Sequence, residues 1–77
     1  MQQIMTHTAD NCIYLQSAEI FKNAIVSLIN KEGDEMTNQK MVNTNYLTID
    51  AKLPKGEYLL VVVENGKQWK RSVFLGE

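Results

Sequence analysis

The dipeptide Asn65-Gly66 constrains this chain more than any other feature. It separates two runs rich in β-branched and aromatic residues, Tyr58-Leu59-Leu60-Val61-Val62-Val63 and Trp69 to Leu75. Both of its positions tolerate a positive φ, as a two-residue type I′ turn requires. The reading is a hairpin of Glu57 to Glu64 with Lys67 to Leu75. Its register sets Val62 opposite Trp69, Tyr58 opposite Val73 and Leu60 opposite Arg71. Arg71 then falls on the buried face. Either its side chain snorkels at an edge, or a bulge between Lys70 and Val73 resets the register and turns Phe74 inward in place of Val73.

The rest of the chain is punctuated in the same way. Asp10-Asn11, Lys22-Asn23, Lys31-Glu32-Gly33-Asp34, Asn43-Thr44-Asn45 and Leu53-Pro54-Lys55-Gly56 separate short apolar runs. Turn signals at this spacing predict a meander or sandwich. Cys12 to Gln16 and Leu47 to Asp50 alternate as strands do, and Met36 to Val42 reads as a weaker edge strand. Ser17 to Lys31 carries two patterns. Ile20, Phe21, Ala24, Ile25 and Leu28 follow helical spacing, with Ser17 and Gly33 as caps. Ala24, Val26 and Leu28 also alternate with Ile25, Ser27 and Ile29 directly before an Asn-x-x-Gly turn, which favours a strand.

At 77 residues the chain fits one domain, residues 1–77, with residues 1–10 either a loosely ordered segment or a first strand. A domain this small buries only about 60–65% of its unfolded surface, so its core supplies a thin margin. The formal net charge of −1 leaves no basic excess for nucleic acid. The densest basic cluster, Lys67, Lys70 and Arg71, reads as the solvated face of an edge strand. The single cysteine, Cys12, permits no internal disulfide and reads as an inert, buried or half-buried thiol. A nucleophile there would need a base, and the one histidine, His7, stands in a polar N-terminal stretch. No Gly-rich phosphate loop or paired Cys-x-x-Cys occurs. The expectation is no enzyme, no cofactor and no metal. Glu32, Asp34 and Glu35 beside Asn30 read as solvation of a turn rather than a calcium site. No run approaches the roughly 20 apolar residues of a membrane span. Met1 to Cys12 lacks a signal peptide's basic start and apolar stretch, which fits a cytoplasmic chain or a mature form.

The central strand carries apolar residues on both faces. If Tyr58, Leu60 and Val62 face the core, Leu59, Val61 and Val63 face away, and Ile25 and Ile29 show the same parity. Such a face needs a cover. The expected cover is the N-terminal segment with Ile4 and Met5; the alternatives are a second subunit or a partner protein. The Met36 to Val42 edge and the final strand are further candidates for accepting an added strand.

Three pieces of the chain carry a family pattern. They are Ala24 to Gly33, an alternating strand ending in Asn-x-x-Gly; Leu47-Thr48-Ile49-Asp50 with Leu53-Pro54-Lys55-Gly56-Glu57-Tyr58; and the final hairpin ending in Val73-Phe74-Leu75. In this order they resemble small secreted bacterial β-sandwich domains of unknown function. They are also similar to the C-terminal sorting domains of type IX secretion. An Asn-Pro near the first strand, usual in the sorting domains, is absent before Cys12, which favours the stand-alone family. The resemblance implies an all-β fold, an immunoglobulin-like antiparallel β-sandwich of about seven strands. It also implies a secreted or periplasmic, non-catalytic protein-binding or structural module, with a sorting or anchoring domain as the alternative. Pro54, Gly56 and Tyr58 then form a structural corner, with the Tyr58 hydroxyl bonded back to the upstream backbone as in the tyrosine corner of such sandwiches.

Overall fold

The computed structural model describes residues 3–9, 11–50 and 52–76. Met1, Gln2, Asp10, Ala51 and Glu77 lie outside the described residues, so the first half of the expected Asp10-Asn11 turn does too. Among the described residues there are five strands: β1 (Ile4–Ala9), β2 (Cys12–Ile29), β3 (Glu35–Asp50), β4 (Gly56–Glu64) and β5 (Lys67–Leu75). All pair antiparallel in one sheet of order β1-β2-β4-β5, with β3 on the other edge of β2. The fold is therefore all-β and antiparallel, as expected. Its five strands form one curled sheet, where about seven strands in two sheets were expected.

The difference has a physical cause. Eighteen residues of straight strand would run about 60 Å, yet the molecule's longest axis is 30 Å. β2 must bend, and its ladder with β3 shows where. Gln16 pairs with Tyr46, but the next pair is Phe21 with Thr44, so five residues of β2 advance against two of β3. The extra residues switch the inward parity from Ile13, Leu15 and Ser17 to Ala24, Val26 and Leu28, all buried. Phe21 is fully buried at the switch, with its ring edge-on to Trp69 at 5.3 Å. On β3 the facing bend carries Asn43 at φ 53. Lys22-Asn23 and Asn43-Thr44-Asn45 thus mark bends inside long strands rather than turns between short ones. Ser17 to Ile29 is strand throughout, not helix.

The backbone groups freed by the bend find partners. The Ser17 hydroxyl donates to Glu19 O at 2.7 Å and lies 3.3 Å from Asn45 O, while Asn45 Nδ2 donates back to Ser17 O. The Ala18 amide donates to Gln3 O at 2.9 Å, extending the β1 ladder by one step. Past the bend, the Lys22 and Asn23 amides donate to one Glu64 carboxylate oxygen at 2.8 and 3.1 Å. This carboxylate covers the stretch where one edge of β2 passes from β1 to β4. These amides are exposed, so the pair of bonds contributes about 0.5–1.5 kcal/mol rather than the larger penalty of a bare buried donor.

The β2–β3 turn is built around Asn30. Its side chain accepts from the Asp34 amide at 2.9 Å and its carbonyl from the Gly33 amide at 3.0 Å, with Gly33 at φ 89. That geometry is a three-residue hairpin loop whose last position favours glycine. The final hairpin has the expected register, Tyr58 with Val73, Leu60 with Arg71 and Val62 with Trp69, and no bulge. Asn65 and Gly66 have φ 51 and 78. Val73 is buried and Phe74 exposed, and Arg71 snorkels to an exposed position.

Candidate functional site

The outward residues of β2 and β4 meet on one face past the bend. Ile25 stands opposite Val63, Ser27 opposite Val61, and Ile29 opposite Leu59. The five apolar residues singled out by parity, Ile25, Ile29, Leu59, Val61 and Val63, therefore form one continuous stripe. Ile25 is 41% exposed; Ile29, Leu59 and Val63 are half-buried. Val61 is only 8% exposed, yet it is not among the residues that pack together as the core. Its position at the centre of the stripe, flanked by cross-strand neighbours, accounts for that burial.

The stripe has a polar rim. On the β3 side Lys40 stands opposite Ile25, Asn38 opposite Ser27 and Glu35 opposite Ile29. On the β5 side Gln68, Lys70 and Ser72 stand opposite Val63, Val61 and Leu59. Val42 and Phe74, both well exposed, extend the apolar surface at two corners. The stripe is thus an apolar centre inside a polar border.

The expected cover is elsewhere. Ile4 is 6% exposed and belongs to the core cluster, because β1 pairs with Cys12 to Ser17 on the far side of the bend. Alternation sends Ile4 inward and Met5 outward on that other arm, so neither reaches the Ile25–Leu59 face.

The corner residues come together beneath β4. The Tyr58 hydroxyl donates to Pro54 O at 2.6 Å, and the ring is 7% exposed. Gly56 sits between them at φ 154, in open space, where an L side chain would be strained by the backbone alone.

A second surface was not legible in the composition. On the first arm Met5, Gln16 and Tyr46 lie in one cross-strand row, and His7, Tyr14 and Thr48 in the next. His7 is not in a loose polar tail; it sits in β1 with its ring stacked on Tyr14 at 6.0 Å. Tyr46 and Met5 are widely exposed. The available signal was the alternation itself: with Ile13, Leu15, Leu47 and Ile49 inward, Tyr14 and Tyr46 must point out. Cys12 is half-buried, and its sulfur lies 3.9 Å from Asp50 Oδ1. The carboxylate accepts from the thiol. His7 faces Tyr14 rather than Cys12.

Among the described residues no three His, Cys, Asp or Glu side chains are grouped to hold a metal ion, and no helix is long and apolar enough to cross a membrane. Glu35 instead accepts from Asn38 Nδ2 at 2.7 Å. Compared with known proteins, the chain matches no family model and no curated protein sequence.

Proposed function

We propose that this chain is a non-catalytic protein-binding module, exported from a bacterial cell, that engages a partner through the outer face of β2 and β4. The observation that carries the reading is the convergence of Ile25, Ile29, Leu59, Val61 and Val63 on one face that no described segment covers. Ile25 is exposed and Ile29, Leu59 and Val63 are partly so, which leaves apolar surface on this face for a partner to bury. Export rests on the resemblance to secreted β-sandwich domains. Kinship with the immunoglobulin-like sandwich is part of the same proposal. Three features support it: the bends that divide β2 and β3 into two arms each, the inward packing of both arms on one core, and the Tyr58 to Pro54 corner.

The test is capture from fractionated cells. Immobilised wild-type chain retains a discrete partner from the extracytoplasmic fraction, a Leu59→Lys variant loses it, and Glu32→Lys, in the exposed β2–β3 turn, keeps it. Equal retention by Leu59→Lys refutes the face. Native chain found only in the cytoplasm refutes export, and native chain found only at the C-terminal end of a much larger cargo points to the sorting role instead.

A further inference from the structure

The outward face of the first arm carries six exposed residues in two rows, Met5, Gln16 and Tyr46, then His7, Tyr14 and Thr48. Met5 is 58% exposed, Tyr14 42% and Tyr46 64%. The six border a shallow hollow of about 350 Å³. Gln16 lies in its middle strand. Met5 on β1 and Tyr46 on β3 flank Gln16 across the strands, and Tyr14 stands two residues before it on the same face. The His7 and Tyr14 rings lie 6.0 Å apart with their planes within 28°. Side chains of a sheet stand roughly perpendicular to it, so these two rings form a wall of the hollow rather than a flat platform.

Charge and hydrogen bonding narrow the occupant. None of the six is an acid, a lysine or an arginine, and Asp50 lies one row further on beside Cys12. The hollow therefore offers no cation to a phosphate backbone. It does offer neutral donors, the Gln16 amide and the Tyr46 and Thr48 hydroxyls. At these rows β2 is paired on both sides, so a ligand meets side chains and not a strand edge. A polyproline II segment suits those terms: it needs no ladder, its carbonyls are open acceptors, and its shape is preset before binding. Its dimensions fit as well. Three residues of this helix make one turn and advance about 9.3 Å. Met5 and Tyr46 stand two strand spacings apart, about 9.5 Å. Residues i and i+3 of the segment then meet Tyr46 and Met5, while the carbonyls between them pass over Gln16. A sugar ring would need an aromatic ring lying flat beneath it, and the upright His7–Tyr14 pair does not supply one.

We propose that this hollow binds an uncharged proline-rich segment of a partner protein, in polyproline II form, laid across β1, β2 and β3 with one proline against Tyr46 and another, three residues away, against Met5. Aromatic-lined hollows recognise such segments because the bound shape costs little ordering entropy. The hollow lies on the first arm, away from the Ile25–Leu59 face, and the inference stands without the reading proposed for that face.

The experiment uses the whole chain and a fluorescein-labelled synthetic peptide of about nine prolines, three turns of the helix. Fluorescence anisotropy measures binding, and amide shifts locate it. The proline peptide binds with a Kd below about 1 mM, and a glycine–serine peptide of the same length does not. Shifts gather at Met5, Gln16 and Tyr46 and are absent from Ile25 to Ile29 and Leu59 to Val63. Tyr46→Ala weakens binding about tenfold or more, and Tyr46→Phe, which keeps the ring, weakens it less. Tyr46 is exposed, so Tyr46→Ala keeps the fold, which circular dichroism checks. Glu32→Lys, in the β2–β3 turn, leaves binding unchanged. Absence of binding at about 1 mM peptide overturns the proposal. So do equal binding of the glycine–serine peptide, shifts centred outside the hollow, or indifference to Tyr46→Ala in a folded variant. Saturable binding of maltoheptaose at the same residues, with the proline peptide inert, overturns it in favour of a glycan site.

Discussion

Replacing Tyr58 with phenylalanine removes one oxygen atom and leaves the ring in place. The ring is 7% exposed and packs in the core cluster, so its burial is unchanged by the substitution. What is lost is the bond from the hydroxyl to Pro54 O, 2.6 Å long. An intramolecular hydrogen bond of this kind contributes about 0.5–1.5 kcal/mol net. Pro54 is exposed, so water can replace the hydroxyl at its carbonyl and the larger penalty for a stranded acceptor does not arise. The expected loss is therefore about 1 kcal/mol. A chain of this size has a total stability of about 4–12 kcal/mol, so the loss is measurable but not disabling. It corresponds to a drop in Tm of about 4–8 °C. Urea unfolding followed by the fluorescence of Trp69, which sits edge-on to buried Phe21, is the assay. The midpoint falls while the m-value stays the same, because the surface exposed on unfolding is the same. Equal midpoints for the two proteins would show that the hydroxyl contributes nothing and that the corner is not a structural device. A loss above about 3 kcal/mol would show that the ring itself has moved, and the reasoning would fail on the other side. Partner binding is unaffected in either protein, since Tyr58 faces inward.

Two further outcomes follow from the bend and one from the final hairpin. Phe21→Ala empties the fully buried position where β2 changes parity and costs about 3–5 kcal/mol, read as a large fall in the thermal midpoint by circular dichroism. Glu64→Ala removes the shared acceptor of the Lys22 and Asn23 amides, where water can take its place, and costs about 0.5–1.5 kcal/mol in urea unfolding; Glu64→Gln, which keeps an acceptor oxygen, recovers part of it. Gly66→Ala forces a side chain onto a residue at φ 78 and costs about 1–2 kcal/mol, with the final hairpin's amides losing exchange protection first.

The final hairpin was legible near its turn because a two-residue Asn-Gly loop sets Val62 opposite Trp69; whether a bulge then reset Arg71 and Val73 was open in the sequence, and the continuous ladder settles it. The Pro54–Tyr58 corner was legible because it spans only five residues. Strand number was not. Lys22-Asn23 and Asn43-Thr44-Asn45 report that the backbone tolerates unusual φ there, and Asn43 does adopt φ 53. They do not report whether the ladder resumes beyond. Here it does, since Phe21 pairs with Thr44 and Asn23 with Val42, so each signal marks a corner within a strand. The apolar stripe was readable from parity alone. That Ile4 and Met5 do not cover it was not, because their placement depends on β1 pairing with the first arm of β2, a contact set by the curl. His7 and Tyr14 were hidden for the same reason: their stacking is a cross-strand pairing between a polar segment and an apolar one.

The most direct test of the central claim is site-specific photo-crosslinking in the native cells, with a benzophenone amino acid placed at Ile25 and, separately, at Glu32. The account predicts one discrete adduct of higher mass from Ile25 and none from Glu32. No adduct at Ile25, or the same adducts from both positions, would contradict it.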